Sequence, residues 1–174
     1  MSIPNILTVI RFILIPVFGY YLFHEQYKVA LLLFLLAGLT DVLDGYIARA
    51  FNMVTPWGKL ADPLADKLMQ ITALVLLTYL RKIPIIIVII VGIKELFMGL
   101  GSIVLYKKRQ YVVSANWYGK LATVIFYFAV VMIIMFDMSK FYNYLFIGIA
   151  VFSTLFAFFM YLNSYRKISR NRQV

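Results

Sequence analysis

Residues 41–67 read DVLDGYIARAFNMVTPWGKLADPLADK and place four aspartates in a chain that is otherwise strongly apolar. The chain has 174 residues, of which 64% are hydrophobic and 14% are charged, and it contains no cysteine. Soluble domains carry about 25% charged residues and less than about 50% apolar ones. The composition therefore predicts an integral membrane protein. The absence of cysteine excludes a disulfide framework, a thiolate metal site and a cysteine nucleophile.

The sequence contains six apolar runs, and each is about long enough to cross a bilayer as a helix. They are predicted at residues 6–23, 29–49, 60–80, 83–106, 119–138 and 141–163. The connections are short, so consecutive helices are expected to be antiparallel neighbours in a bundle. We therefore predict an all-α membrane protein with a single domain over residues 1–174, ending in a basic tail at about 164–174. No cleavable signal sequence is expected, because no charged segment precedes the first apolar run.

The basic residues at the ends of the predicted helices and between them are distributed unequally between the two sides of the membrane. Ten lysines and arginines fall on the side that holds both termini and the aspartates, and four fall on the other side. Cytoplasmic segments of membrane proteins carry such an excess of positive charge. We therefore expect a protein of the cell or inner membrane, with both termini and the aspartates in the cytoplasm. The net charge of +10 is assigned to contact with lipid headgroups and not to nucleic acid.

The four aspartates form two pairs. Asp41 and Asp44 are three residues apart near the end of the second predicted helix, and Asp62 and Asp66 are four apart in the third. Both spacings place a pair on one helix face. A nine-residue link would let the two helices form an antiparallel hairpin, with the pairs facing each other at one depth. Four unpartnered aspartates at the membrane centre would cost roughly 10–14 kcal/mol, so the cluster needs an explanation.

Two structural explanations are that water solvates the carboxylates at the membrane surface, or that they pair with Arg49, Lys59 and Lys67. Three local bases do not neutralise four acids. Carboxylate oxygens without cysteine or local histidine instead suit Mg²⁺, Mn²⁺ or Ca²⁺. Two such ions on four carboxylates are a common clamp for phosphoryl displacement. We therefore predict a polar, metal-binding cavity open to the cytosol, with a lipid-linked substrate that contains phosphate.

Eight positions of this hairpin, with their spacing, resemble the motif of the CDP-alcohol phosphatidyltransferase family. They read Asp41-x2-Asp44-Gly45-x2-Ala48-Arg49-x8-Gly58-x3-Asp62-x3-Asp66. The opening segment IPNILTVIR and, more weakly, the segment VSANWYGKLAT are also similar to the family. The resemblance covers essentially the whole chain, which has the size and the six spans of family members.

The resemblance implies roles for individual residues. The four aspartates would hold two Mg²⁺ ions, with Mn²⁺ as a substitute, on the diphosphate of CDP-diacylglycerol. Asp66 would also be the general base for an acceptor hydroxyl, which attacks the lipid-linked phosphorus and releases CMP. Six further positions match contacts to the CDP-lipid: Asn5, Thr8, Gly45, Arg49, Thr55 and Gly58.

Simpler explanations remain for several of these residues. Asn5 and Thr8 could cap the first helix. Thr55 precedes a proline and could be a turn residue, and Arg49 could extend to lipid phosphate.

Lys94, Arg109 and Lys120 are the residues that we predict bind the acceptor. Lys94 precedes Glu95 at a place where phosphatidylglycerophosphate synthases often have Arg-Glu, and Lys120 follows a glycine as in that subfamily. In the structural alternative, Glu95 pairs with a cation on a neighbouring helix. Two features depart from the subfamily: a second arginine is missing beyond Lys94, and Ala122 stands in place of a lysine.

The acceptor is therefore less well determined than the reaction. Glycerol 3-phosphate is favoured, and phosphatidylglycerol is the alternative, because the chain also resembles CMP-forming cardiolipin synthases. Inositol phosphate, serine and other alcohols stay open. A divalent-cation transporter and a non-catalytic scaffold are the competing classes. Family members commonly form homodimers, a state that this sequence neither supports nor opposes.

Overall fold

The computed structural model describes residues 3–51, 53, 55–109 and 117–170, with the side chains at 59, 100–109 and 164–170 outside the description. Within these residues the chain forms six helices and no strand. They are α1 (Ile3–Phe23), α2 (Tyr27–Ala50), α3 (Pro56–Tyr79), α4 (Ile85–Arg109), α5 (Trp117–Met135) and α6 (Lys140–Arg170). All six predicted helices are confirmed. The helix α6 continues into the segment that was predicted as a basic tail.

Four of the described helices are long and apolar enough to cross a membrane, namely α1, α2, α5 and the part of α6 up to Asn163. Charged residues lie within α3, at Asp62 and Asp66, and within α4, at Lys94 and Glu95, as they also do within α1 and α2. Inside a bilayer the backbone must satisfy its own hydrogen bonds, which is why apolar runs of this length are helical. The protein is an all-α integral membrane protein.

The chain divides into two compact units. The first consists of residues 1–82 and 134–137, and the second of residues 83–133 and 138–174. In the first unit α1 packs against both α2 and α3, whereas those two helices make few close backbone contacts with each other. Phe18 and Phe34, both fully buried, pack in this core with tilted rings whose centroids are 5.4 Å apart. Both helices that carry the aspartates therefore pack on α1.

The connection between α2 and α3 is shorter than the predicted nine residues. The prediction placed residues 50–58 in the link, with Thr55, before the proline, as a candidate turn residue. In the structure Thr55 is the N-cap of α3, its Oγ1 accepts the Gly58 N–H at 3.0 Å, and Pro56 follows at the first helical position. Threonine caps the unpaired N–H groups of a helix start, and proline at that position loses no hydrogen bond. The third helix therefore begins four residues earlier than predicted.

In the second unit, α4 packs against α6. Tyr118 and Ala122 of α5 form a buried cluster with Ala157 and Tyr161 of α6. A Cβ atom at Gly119 would lie 2.7 Å from the Tyr161 hydroxyl, so the missing side chain permits this close approach.

Candidate functional site: the aspartate cluster

Arg11 of α1 is completely buried and lies between the two aspartates of α2. Its Nη1 is 2.6 Å from Asp41 Oδ1, and its Nη2 donates a short hydrogen bond to Asp44 Oδ2. The side chain of Asp44 is 2% exposed and that of Asp41 is 37% exposed. Burying charges without partners would be costly, and one guanidinium here compensates two carboxylates while it joins α1 to α2.

The two contacts of the Arg11 guanidinium are not equivalent. Its Nε and Nη1 have no hydrogen-bond partner among the described residues. The contact between Nη1 and Asp41 is therefore an ion pair without hydrogen-bond geometry, whereas the contact to Asp44 is a charge-assisted hydrogen bond. Arg11 is thus held more firmly by Asp44 than by Asp41.

Thr8 connects α1 to the first aspartate of α3. The buried Thr8 hydroxyl lies 2.5 Å from Asp62 Oδ1 and 3.1 Å from the Pro4 carbonyl oxygen. A hydroxyl has one proton, and the closer, charged acceptor binds it more strongly. Thr8 therefore orients Asp62, and the alternative in which it caps α1 is wrong.

Asn5, Thr55 and Gly58 form a second link between the beginnings of α1 and α3. The Thr55 hydroxyl donates to Asn5 Oδ1 at 2.9 Å while its oxygen caps α3. A Cβ atom at Gly58 would lie 3.1 Å from Thr55 Oγ1 and 3.2 Å from Asn5 Oδ1. Glycine therefore lets α1 approach the first turn of α3. These three predicted CDP-lipid contacts bind one another in the structure.

Asp66 lies one turn after Asp62 on α3 and receives a hydrogen bond from the following turn. Gln70, itself buried, donates from Nε2 to Asp66 Oδ2 at 2.9 Å. The two residues are four apart, a spacing that places them on one helix face. Gln70 therefore restricts the orientation of the Asp66 carboxylate.

Arg49 and Gly45 lie one turn apart near the end of α2. Arg49 is exposed, and its Nη1 and Nη2 would be 3.4 and 3.5 Å from a Cβ atom at Gly45. The guanidinium therefore lies over the glycine, at van der Waals distance from the position that a Cβ atom would take. This places an exposed positive charge at the same end of α2 as the aspartates.

The four carboxylates lie within electrostatic range of one another. Asp41 is repelled by Asp62 and Asp66, and Asp44 by Asp62 and Asp41. All four, with Arg11, lie about 8–15 Å along their helices from the nearer helix end, since each residue adds about 1.5 Å. The single guanidinium of Arg11 balances only part of this negative charge.

The donor chemistry of this cluster suits a divalent cation, because carboxylate oxygens are the ligands that Mg²⁺ prefers. Among the described residues, no three acidic or histidine side chains converge closely enough to hold one ion. Arg11 instead binds an oxygen of both Asp41 and Asp44. The residue types therefore suit a divalent cation, which would be held by carboxylates that Arg11 already contacts.

The predicted acceptor residues belong to the second unit. Lys94 is buried, and its Nζ lies 2.5 Å from Oε1 of its neighbour Glu95. Glu95 thus has an ion-pair partner on its own helix. Lys120 is exposed in the first turn of α5. Arg109 ends α4, and its side chain lies outside the described residues.

A separate polar region occupies the other end of the first unit. Lys82 Nζ is 3.8 Å from Asp137 Oδ1 and 4.6 Å from the centroid of the Tyr27 ring. These residues, with Glu25, line a cavity of about 510 Å³. Tyr27 and Asp44 are about 26 Å apart along α2, so this cavity is distinct from the aspartate cluster.

Comparison with known proteins gives the family. Residues 1–160 match the family model described as CDP-alcohol phosphatidyltransferase. The chain belongs to the CDP-alcohol phosphatidyltransferase family. It is therefore a transferase of phospholipid biosynthesis, as the resemblance of the aspartate hairpin implied.

Several relatives of this phosphatidyltransferase carry more specific names. A protein of Aquifex aeolicus named CDP-diacylglycerol–glycerol-3-phosphate 3-phosphatidyltransferase is 36% identical over 126 residues, 71% of this chain and 70% of its own. A protein of Haemophilus influenzae with the same name is 38% identical over 135 residues, 70% and 69% of the two chains. A Rattus norvegicus protein named cardiolipin synthase (CMP-forming) is 47% identical over 85 residues, 48% of this chain but 28% of its own.

Sequence reasoning about this phosphatidyltransferase missed two residues of the cluster. Arg11 is the only charged residue in the apolar run 6–23, and a charge inside a spanning segment is by default functional or paired. That signal was available, but the partners of Arg11 lie 30 or more residues away. Gln70 could have been found from its spacing, because it follows Asp66 by four residues on one helix.

Proposed function

We propose that this protein transfers a phosphatidyl group from CDP-diacylglycerol to glycerol 3-phosphate, which yields phosphatidylglycerophosphate and CMP. The observation that carries the proposal is the proximity of the four motif aspartates on α2 and α3, in a member of this family. Relatives that match about 70% of both chains are named for this reaction. The reaction depends on Mg²⁺ in this proposal.

Asp66 is the proposed general base. It accepts the proton of the acceptor hydroxyl, the hydroxyl oxygen forms a bond to the lipid-linked phosphorus, and the bond from that phosphorus to the CMP oxygen breaks. The hydrogen bond from Gln70 supports this role, because a base must be held within reach of the proton that it takes. Two Mg²⁺ ions, for which Mn²⁺ is a substitute, would be held by the four aspartates and would neutralise charge on the diphosphate.

The other motif residues are proposed to bind or position the CDP-lipid. Arg49 is exposed above Gly45, where its guanidinium can form paired hydrogen bonds with phosphate oxygens. Thr8 and Thr55 are engaged between α1 and α3, so their contribution is to fix those helices around the substrate. This assigns direct contact to Arg49 and positioning to the two threonines.

Lys94, Arg109 and Lys120 are proposed to bind the phosphate of the acceptor. Phosphatidylglycerol is the second candidate acceptor, which the 47% identity to the rat cardiolipin synthase over 85 residues favours. Glycerol 3-phosphate is preferred because the relatives named for it match a larger share of both chains.

We also infer that all six helices cross the membrane, with both termini and the aspartate cavity facing the cytoplasm. An even number of spans puts both termini on one side. Lysine and arginine are in excess on that side, which is typical of cytoplasmic segments. The motif aspartates lie about 8–15 Å along their helices from the nearer helix end, so a polar cavity that reaches them would open to water at that end.

A product analysis tests the proposed function. Purified protein receives CDP-diacylglycerol, Mg²⁺ and one acceptor at a time, CMP release is followed, and the lipid product is identified by mass spectrometry. The expected product is phosphatidylglycerophosphate, and EDTA is expected to stop its formation. Cardiolipin formed from phosphatidylglycerol alone would instead select the second acceptor. Flux of Mg²⁺ or Mn²⁺ into liposomes without CMP release would favour a transporter.

Asp66→Asn tests the role of the base. The variant is expected to lose turnover by about 10²–10⁴-fold, since it cannot take the proton, while it retains most CDP-lipid binding. Asp137→Asn is the matched control, because Asp137 is a fully exposed aspartate at the other end of the first unit. Equal loss of turnover and binding in Asp66→Asn would contradict the base assignment.

A further inference from the structure

Arg11 has a feature that the proposed reaction does not use: it binds the same carboxylates that the proposed metal would need. Asp41 Oδ1 and Asp44 Oδ2 are both occupied by the guanidinium. A divalent cation on these two aspartates would therefore compete with Arg11 for carboxylate oxygens. The guanidinium is completely buried, so it cannot leave for solvent without a change in the surrounding packing.

The inequality of the two contacts indicates where such competition would occur. The Asp44 carboxylate is nearly inaccessible and accepts a hydrogen bond from Arg11. The Asp41 carboxylate is partly exposed, and its contact with Nη1 lacks hydrogen-bond geometry. A cation that arrives from water would meet Asp41 first and would break the weaker of the two contacts.

We propose that Arg11 is a built-in competitor of the metal, which holds Asp41 and Asp44 together and is displaced from Asp41 when a divalent cation binds. Arg11 is thereby a positioning residue that lowers the affinity for the metal and stabilises the cluster when the metal is removed. The inference rests on the proposed function, because it takes Asp41 and Asp44 to be metal ligands. Its chemistry needs no covalent step, only the exchange of one cation for another on a carboxylate.

Metal binding to Arg11 variants tests this exchange. Binding of Mn²⁺ to the purified protein in detergent is measured by electron paramagnetic resonance, without CDP-lipid, for wild type, Arg11→Lys and Arg11→Met. Arg11→Met removes the competing charge and is expected to bind Mn²⁺ about tenfold more tightly. Arg11→Lys is expected to lie between, because a compact ammonium does not bridge two carboxylates as a guanidinium does.

A melting experiment adds a second readout. The melting temperature of Arg11→Met in EDTA is expected to fall below that of wild type, and Mn²⁺ is expected to raise it by more than it raises the wild-type value. A purely structural arginine would lower both temperatures equally and would leave the Mn²⁺ affinity unchanged. If Arg11→Met folds only with Mn²⁺, the exchange is supported, since the ion then replaces the arginine.

Arg81→Met is the matched control. It removes the same side chain from an exposed position near Glu25 and Tyr27, away from the aspartates, and Arg81 makes no ion pair among the described residues. Its exposed charge is screened by salt, so the Mn²⁺ affinity is expected to change by less than about twofold.

The outcomes separate this inference from the proposed function. If wild type binds Mn²⁺ and releases CMP but both Arg11 variants bind Mn²⁺ no more tightly than wild type, the exchange is wrong and the function stands. If Arg11→Met does not fold at all, the Mn²⁺ affinity of Arg11→Lys is the test. An affinity equal to or weaker than that of wild type overturns the proposed exchange. Absence of Mn²⁺ binding and CMP release in wild type would overturn the proposed function itself.

Discussion

Two buried cations, Arg11 in the first unit and Lys94 in the second, have charge partners at very different sequence distances. Arg11 binds Asp41 and Asp44, which lie on another helix. Lys94 binds its immediate neighbour Glu95 on the same helix. Both arrangements compensate a charge that would be costly in an apolar helix.

This difference matters because, of the ion pairs compared, only those of Arg11 join two separate helices. The Lys94–Glu95 contact joins adjacent residues of α4, so by itself it links no two helices. The contacts of Arg11 exist only when α1 and α2 are packed at the correct depth. We therefore expect the ion pairs of Arg11 to contribute more to stability, and Lys94 to contribute to binding of the acceptor.

The largest expected effect comes from Asp44→Ala. It leaves the buried guanidinium of Arg11 with the weaker, partly exposed partner Asp41. Breaking a buried ion pair costs about 3–5 kcal/mol. Thermal unfolding in detergent with EDTA is expected to show a loss in this range.

Asp41→Ala is the control for that loss, and it should cost less because water already solvates part of this carboxylate. The double variant Arg11→Met/Asp44→Leu should recover much of the stability, since a buried pair can be replaced by apolar residues of similar volume. Equal losses in the two aspartate variants would remove the distinction between the two contacts of Arg11.

A smaller effect on stability, and a kinetic one, is expected from Lys94→Met. Loss of the buried cation removes its ion pair with Glu95, at a cost of about 1–3 kcal/mol. The KM for glycerol 3-phosphate is expected to rise about tenfold, the equivalent of 1.4 kcal/mol, while the KM for CDP-diacylglycerol stays constant.

Lys28→Met provides the comparison for Lys94→Met, because Lys28 is an exposed lysine near the start of α2. It should alter neither KM. Normal KM values in Lys94→Met would mean that Lys94 contributes only to stability, and they would favour phosphatidylglycerol as the acceptor.

The smallest effect is expected from glycine substitutions, one in each unit. Gly58→Ala adds a Cβ atom within 3.2 Å of Thr55 and Asn5 and should cost about 1 kcal/mol through crowding between α1 and α3. Gly92→Ala adds a Cβ atom with nothing within 4 Å and should be neutral or stabilising by up to about 1 kcal/mol. Equal melting temperatures for the two variants would show that α1 and α3 tolerate a wider spacing.

The sequence by itself determined the membrane class, the six helices and the aspartate motif. Apolar runs in a bilayer have one way to satisfy their backbone, which is to form helices. Spacings of three and four residues are local properties of a helix, so the pairs Asp41–Asp44 and Asp62–Asp66 could be predicted as neighbours without knowledge of the packing.

Only the tertiary structure shows that α1 packs against both of the helices that carry these aspartate pairs. That α1 contacts both α2 and α3, and that Arg11 and Thr8 bind acids 33 and 54 residues further along the chain, depends on how three helices pack. Such contacts leave no periodic pattern in the sequence, because packing between helices is set by shape and charge over the whole surface. The start of α3 at Thr55 shows the same limit on a small scale, since one proline can end a turn or begin a helix.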